Sequence, residues 1–269
     1  MTEEKRESVV LCEGFYDRAF WAGWLKHLGC SDPGEPKNGG SRRPVIDPWG
    51  IRVQTGQFGF RSRSNRFVRV VPCHGKSRLL PEFRIRLKEE CEQVRQDAAV
   101  SRLARLVLAI EPDTVAGSGS PRTGLRHRDL LAIVRELEPQ AQEDGQGDIA
   151  LLGGTTFVSL VRWELAVENA PGIPAQQTLE RVVCAALVAA FPKRGATVQT
   201  WLDGRPEAPA AGPKEFVWSH MAGWYAEHGC QDFFSYLWSA ESRDNGVREE
   251  LEKRLRACGA WRVGEVLAR

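Results

Sequence analysis

The stretch Val9-Val10-Leu11-Cys12-Glu13-Gly14-Phe15-Tyr16-Asp17 decides the expected fold. It starts as a short apolar run, turns at Gly14 and continues with apolar residues at helical spacing up to residue 28. This pattern predicts a buried strand, a tight turn and an amphipathic helix. In open α/β sheets, ligands bind beyond the carboxyl ends of the strands, which is where Glu13 is expected to lie.

A second apolar run, residues 105–110, ends in the same way, because Glu111-Pro112-Asp113 follow it directly. A parallel arrangement brings these carboxylates to the sheet edge that carries Glu13. Clustered carboxylates repel one another unless a divalent cation lies between them, and Mg²⁺ commonly binds one or two carboxylates together with substrate phosphates. The sequence therefore predicts a site for phosphate chemistry that holds Mg²⁺ or Mn²⁺.

The two acidic motifs resemble those of the Toprim domain of topoisomerases, primases and OLD-type nucleases. A Glu-Gly-x-x-Asp motif follows the first strand, and an acidic-x-Asp motif follows a central strand about a hundred residues later. Between them, residues 68–77 (Val-Arg-Val-Val-Pro-Cys-His-Gly-Lys-Ser) resemble the second Toprim strand and the small loop after it in OLD-type members. The resemblance covers residues 8–165. It implies an α/β fold with a Toprim-like, mostly parallel sheet flanked by helices.

The resemblance also implies roles for the four carboxylates of these motifs. Glu13 is expected to be the primary metal ligand or the base, and Glu111 and Asp113 are expected to be further metal ligands. Asp17 is expected to support these ligands or to hold a second metal.

Two later positions are candidates by the same resemblance. OLD-type members have glutamates after a late strand that help to hold a second metal, and here Glu164 is the first choice and Glu168 the reserve, with a plain helix-surface role as the alternative. They also use a downstream lysine near the scissile phosphate, for which Lys214 is the candidate.

The sequence departs from the family at one position. The family usually has Asp-x-Asp where this chain has Glu111-Pro112-Asp113. A glutamate carries its carboxylate about 1.5 Å further from the backbone, the length of one C–C bond. Two alternatives follow: an active nuclease, or a catalytically degenerate scaffold that binds nucleic acid or a partner as a structural subunit.

Basic residues are concentrated in one part of the chain. The formal net charge is only +2, but between residues 42 and 105 basic residues greatly outnumber acidic ones. Neutralising the phosphates of a polyanion releases counterions, which drives binding. A hairpin insertion at about 50–72, with strands 51–55 and 66–71, is expected to carry its exposed tip near the catalytic edge. The nucleic-acid contacts predicted are Arg61, Arg63, Arg66, Lys76 and Arg78; a solvated basic face is the alternative.

Composition excludes several other classes. The seven cysteines form no Cys-x-x-Cys pair, which argues against a zinc ribbon and against a disulfide framework. The first residues are charged, and no apolar run is as long as a membrane span, so we expect a cytoplasmic protein. No Gly-x-x-x-x-Gly-Lys-Ser/Thr motif occurs, and therefore no ATPase is encoded.

The predicted organisation is a Toprim-like catalytic domain at 1–170 and a helical C-terminal extension at 171–269. Apolar periodicity predicts further helices and two late strands. The helices are expected at 79–98, 125–137, 176–191, 214–228, 231–239 and 245–258, and the strands at 149–152 and 155–160. Residues 200–213 are predicted to be loop.

The predicted function is metal-dependent cleavage of nucleic-acid phosphodiester bonds, with DNA expected rather than RNA, although no motif reads the 2′-hydroxyl. OLD-type nucleases usually carry their own ATPase. The resemblance therefore implies a separate ATPase or sensor subunit and a role in anti-phage defence. The sequence leaves open a homo-oligomer and an RNA-processing nuclease of the same class.

Overall fold

The structure is a computed structural model that describes residues 6–36, 41–96, 101–112, 124–151, 154–165, 168–239 and 244–269. The strands are β1 Glu7–Cys12, β2 Phe58–Arg61, β3 Phe67–Pro72, β4 Leu103–Ile110, β5 Gln142–Glu143, β6 Ile149–Ala150 and β7 Phe157–Arg162. The helices are α1 Phe15–His27, α2 Lys76–Gln96, α3 His127–Leu137, α4 Leu179–Ala190, α5 Pro192–Asp203, α6 Pro213–Trp224, α7 Cys230–Tyr236, α8 Asn245–Ala257 and α9 Ala260–Ala268.

The chain divides by packing into two compact units. The first comprises residues 1–110, 125–161 and 263–269, and the second comprises residues 111–124 and 162–262. The sheet belongs to the first unit and most of the C-terminal helices belong to the second. The domain boundary predicted at residue 170 stays a prediction.

Strand β1 is the centre of the sheet. Within the described residues the strands form one seven-stranded sheet in the order β2-β3-β1-β4-β7-β6-β5. β1 is parallel to β3 on one side and to β4 on the other, with Leu11 opposite Val71 and Leu108. β2 pairs antiparallel with β3, and β5, β6 and β7 pair antiparallel in succession. The predicted fold class is confirmed: an α/β sheet with a parallel centre, flanked by helices and followed by a helical C-terminal region.

Helices α2 and α3 cover one face of this sheet. Alternate residues of β1 and β4, such as Val9, Leu11 and Leu106, are buried in one apolar cluster with Phe83 of α2 and Leu130 of α3. Because neighbouring residues on a strand point to opposite faces, Val10 and Val107 face the other side, where they are also buried. Burial on both faces explains why these strands read as continuous apolar runs.

The predicted hairpin exists, but its first strand is not at 51–55. The turn between the strands is closed by the hydrogen bond from Ser62 N to Arg66 O, at 2.9 Å, so the first strand must end directly before it. β2 therefore spans Phe58–Arg61. Since β3 pairs with β1, it is a central strand of the sheet rather than one arm of an insertion.

In the second unit, helix α4 is the most buried element. All its residues from Leu179 to Val188 are buried, and it packs against α5, α6 and α8. The helix expected at 176–191 corresponds to α4, and Pro192 after it begins α5, because proline suits the first turn of a helix, where its missing N–H is not needed. The loop predicted at 200–213 is consequently shorter, since α5 continues to Asp203.

We expect Asp148→Ala to lower the free energy of unfolding by about 3–5 kcal/mol, because it leaves a buried guanidinium without its carboxylate. Arg105 Nη1 lies 2.6 Å from Asp148 Oδ2, and Ser159 Oγ donates to Asp148 Oδ1 at 2.7 Å. Urea denaturation measures the change. The double variant Arg105→Met/Asp148→Leu removes both charges and should recover most of the loss; no recovery would contradict the argument.

We expect the stability to fall as the pH drops below about 6.5, the ordinary pKa of histidine, through His220. His220 is 1% exposed and bonds through Nε2 to Gly172 O at 3.1 Å. Burial lowers the pKa of His220, and Arg194 lowers it further, against the opposing effect of the Gly172 bond. The unfolded chain therefore binds the proton more tightly than the folded chain. The free energy of unfolding should decrease by at most about 1.4 kcal/mol for each pH unit. Thermal unfolding of wild type and His220→Gln across this range tests it: an equal pH dependence in both would refute the assignment.

Candidate active site

Three loops lie at the carboxyl edge of the parallel strands. Because β3, β1 and β4 run in one direction, their last residues, Pro72, Cys12 and Ile110, end at the same edge of the sheet. The residues that follow these strands are Cys73-His74-Gly75, Glu13 and Glu111. The strands β1 and β4, which precede the two acidic motifs, therefore end at the same edge of the sheet.

The loop after β3 is hydrogen-bonded to the backbone of Glu13. Gly75 N donates to Glu13 O, and Cys73 N donates to Cys12 O, each at 2.8 Å. His74 and Gly75 have left-handed φ values of 57° and 115°, which turn the chain sharply into α2. The half-buried Glu13 thus sits beside the start of α2, where Lys76 and Arg78 are exposed.

His74 was not a predicted site residue. A non-glycine residue at positive φ is uncommon, and such residues concentrate at functional sites. Its ring makes an edge-on contact with Phe15, with the ring centroids 5.2 Å apart. The sequence carries only a weak signal for it, namely a polar residue directly before a glycine in a short strand-to-helix loop.

Asp17 closes the first turn of α1. Its Oδ2 accepts a hydrogen bond from Gly14 N at 3.2 Å, and the residue is 6% exposed. A carboxylate at this position satisfies a helix N–H and interacts favourably with the helix dipole. The structure therefore shows a helix-capping use for Asp17, which also fixes the turn that follows Glu13.

Glu111 also serves a helix start. Its Oε1 accepts a hydrogen bond from Leu179 N, the first residue of α4, at 2.9 Å. Thr178 completes the cap, since its side chain accepts from Arg181 N at 3.3 Å. Glu111 is half-buried. Asp113, the predicted partner of Glu111 in metal binding, lies outside the described residues.

Glu164 and Glu168 are both engaged by arginines. Glu164 Oε2 accepts from Arg162 Nη2 at 2.8 Å and from Arg162 Nε at 3.1 Å. Glu168 Oε2 lies 2.7 Å from Arg254 Nη2. Lys214 is an exposed residue in the first turn of α6. The contacts of the two glutamates are those of ion pairs within the second unit.

The donor groups of the described residues do not form a dense metal cluster. No group of three or more His, Cys, Asp or Glu side chains able to hold a metal ion occurs in the described part of the chain. Mg²⁺ does not need such a group, because it usually keeps several waters and binds through one or two carboxylates plus substrate phosphates.

The predicted nucleic-acid contacts divide between the two edges of the sheet. Lys76 and Arg78 follow β3 and lie at the carboxyl edge with Glu13. Arg61 ends β2, Arg63 and Arg66 lie in the turn before β3, and all three are at the amino edge. The expected position of this tip near the catalytic edge is wrong. β3 has six residues, and at about 3.3 Å per residue the two edges are about 20 Å apart.

No protein-family model matches the chain, and no curated protein matches it. A solved structure with a similar fold is the crystal structure of the hypothetical protein PH0156 from Pyrococcus horikoshii OT3. The two chains are 17% identical, the match covers 98% of this chain and 100% of that chain, and the TM-score is 0.69. A similarity at this identity establishes the fold alone. No helix in the described part of the chain is long and apolar enough to cross a membrane.

We expect Glu111→Ala to lower the free energy of unfolding by about 1 kcal/mol, because the first N–H of α4 loses its acceptor. Glu111→Gln keeps an oxygen that can accept from Leu179 N, so it should retain most of the stability. Urea denaturation of both variants measures this difference. Equal losses in the two variants would contradict the capping role.

Proposed function

We propose that this protein is a Toprim-type, metal-dependent nuclease that hydrolyses nucleic-acid phosphodiester bonds, with DNA as the expected substrate. One observation carries the proposal: β1 and β4 are neighbouring parallel strands, and each leads at its carboxyl end directly into a glutamate, Glu13 or Glu111. The carboxyl edge of a parallel sheet is the usual place for ligands in α/β proteins.

The chemistry of these donors fits Mg²⁺ or Mn²⁺. Both ions prefer carboxylate oxygens. Glu13 is half-buried, so it is partly shielded from water yet accessible. Glu111 accepts one N–H bond, but a carboxylate offers about four lone-pair sites. The resemblance implies Glu13, Glu111 and Asp113 as the ligands of this ion. When bound, such an ion polarises the phosphate and lowers the pKa of a water molecule.

Other residues at this edge have supporting tasks in the proposal. Lys76 at the start of α2 would pair with a substrate phosphate, because a cation and helix N–H groups both attract anions. Arg78, in the same first turn, would add a further cation. Asp17 would hold the Gly14 turn, and through it the backbone of Glu13. The second-metal role of Glu164 and the phosphate contact of Lys214 remain expectations from the resemblance.

The resemblance also supports a proposal about partners. OLD-type nucleases usually have an ATPase, and no phosphate-binding Gly-x-x-x-x-Gly-Lys-Ser/Thr motif occurs in this sequence. We propose that a separate ATPase or sensor subunit works with this chain in anti-phage defence. Co-purification of the native protein with a nucleotide-hydrolysing partner tests this; full activity of the isolated chain would count against it.

We expect Glu13→Ala to abolish Mn²⁺ binding and to reduce metal-dependent cleavage by at least about a hundredfold, because it removes the main proposed ligand. Titration calorimetry with Mn²⁺ measures the binding, and plasmid and single-stranded DNA incubated with the metal measure the cleavage. A purified Glu13→Ala variant that cuts like wild type would refute the proposal.

A matched control is Glu89→Ala, because Glu89 is an exposed glutamate on α2 and its removal changes the net charge equally. This control should bind Mn²⁺ and cut like wild type. Thermal unfolding of both variants separates a lost site from a lost fold.

The second candidate function is a catalytically degenerate Toprim scaffold that binds nucleic acid or a partner. The observation that favours it is the hydrogen bond from Leu179 N to Glu111, which gives this carboxylate a structural use. The scaffold binds nucleic acid in the presence of EDTA, shows no calorimetric Mn²⁺ site and does not cut. The calorimetry described above therefore distinguishes the two functions.

A further inference from the structure

The first unit contains a large basic groove at the amino edge of its parallel strands. Its volume is about 1070 Å³, and among the described residues no aspartate or glutamate lines it. The amino ends of β1, β3 and β4, the hairpin tip and the last turn of α9 form its wall. The arginines that line it are Arg6, Arg61, Arg66 and Arg105. Arg6 and Arg105 are not among the nucleic-acid contacts predicted from the sequence.

Two of these arginines are engaged by buried groups of the fold. Arg105 is paired with Asp148 at 2.6 Å. Arg6 donates to Ser101 Oγ and Thr156 Oγ1, each at 3.1 Å, and both hydroxyls donate to the buried Glu90. The charges of Arg6 and Arg105 are therefore largely used within the fold.

Arg61 and Arg66 have no such partner among the described residues. Neither makes an ion pair there; Arg61 donates only to a backbone oxygen, Asn65 O at 3.3 Å, and lies over the ring of Phe67. Arg66 is exposed, as is the neighbouring Arg63. Positive charge without a local counter-charge, in a groove whose described lining has no carboxylate, attracts an anionic ligand.

The tip that carries these arginines is held in place by the C-terminal residues. Arg63 N donates to Ala268 O and Ser64 N donates to Arg269 O, each at 3.0 Å. Ser62 N and Ser62 Oγ both bond to the backbone of residue 66. A tip fixed by backbone bonds presents its side chains at little entropic cost, as a binding surface requires.

We propose that this amino-edge groove binds the phosphate backbone of a single-stranded nucleic acid, as a second binding surface apart from the carboxylates at the other edge. The inference rests on the proposed function for its substrate class. The groove is at the upper end of the roughly 300–1,000 Å³ typical of small-ligand sites, and its basic residues continue beyond it at Arg63, so a ligand that contacts all of them must be extended. Phe157 in the lining offers an aromatic ring to an unpaired base.

The test is fluorescence anisotropy with a labelled oligothymidine in EDTA, where no cutting can occur. We expect Arg61→Gln/Arg66→Gln to weaken binding by at least about tenfold. The slope of log K against log salt should become shallower by about 0.7 for each phosphate that the variant no longer neutralises. The matched control is Arg52→Gln/Arg128→Gln, which removes two exposed arginines of the same unit outside the groove and should bind like wild type.

A second variant protects the test against a folding artefact. Asn65 lines the groove at a left-handed φ of 63°, and Asn65→Asp preserves shape and backbone preference while adding a negative charge. The Asn65→Asp variant should bind oligothymidine more weakly than wild type and have the same melting temperature.

Other outcomes overturn the inference. If the groove variants bound oligothymidine with wild-type affinity and a wild-type salt slope, the groove would not be the binding surface. Groove-dependent binding of ATP or pyrophosphate without oligothymidine binding would make it a small-anion site. Glu13→Ala should still bind oligothymidine. Cleavage by Glu13→Ala tests the proposed nuclease function, and oligothymidine binding by the groove variants tests the groove. Failure of one hypothesis can therefore be distinguished from failure of the other.

Discussion

Parallel pairing on both sides of β1 is the constraint on which the rest of the structure depends. All six residues of β1 are buried, and the strand is hydrogen-bonded to β3 and to β4. A strand in this position needs apolar side chains on both faces and helices to cover them. Parallel strands also need long crossover connections, which here contain α1 and α2. Because all three strands are parallel, β3 and β4 end at the same edge of the sheet as β1.

Buried charges of the central strands β1, β3 and β4 are compensated in the described part of the chain. Arg69 in β3 contacts Glu7 and Asp47, each at 2.9 Å, and Arg105 in β4 contacts Asp148. Desolvation raises the pKa of Glu7, while Arg69 opposes that shift. Buried pairs of this kind add little net stability compared with apolar residues, but losing one partner is costly. The pair Arg69–Glu7 joins β3 to β1, whereas Asp47 and Asp148 connect these strands to residues outside them.

The two edges of the sheet present different groups. The carboxyl edge carries Glu13 after β1 together with the exposed cations Lys76 and Arg78 of α2, whereas the amino edge carries arginines in a groove whose described lining has no carboxylate. Carboxylate oxygens suit a cation, and a groove lined by arginines without a carboxylate suits an anion.

The sequence by itself determined the elements whose signals are local. The apolar run before Glu13, the Gly14 turn and the helix after it depend on residues close together in the chain, as does the run that ends at Glu111, and each was predictable. The amphipathic character expected of this helix was wrong, because every residue of α1 from Asp17 to Leu25 is buried. The presence of two acidic strand ends at one edge was also predictable, because parallel order follows from strand-helix-strand alternation.

Only the tertiary structure decided which partners these residues meet. Glu111 accepts the N–H of Leu179, 68 residues away, and the tip of the hairpin bonds to residues 268 and 269. The position of β2 depends on where the turn at 62–66 closes, and that turn lies at the edge opposite to Glu13. These features depend on contacts between distant parts of the chain, and a local pattern of residue types carries no information about which distant donor or strand edge will be nearest.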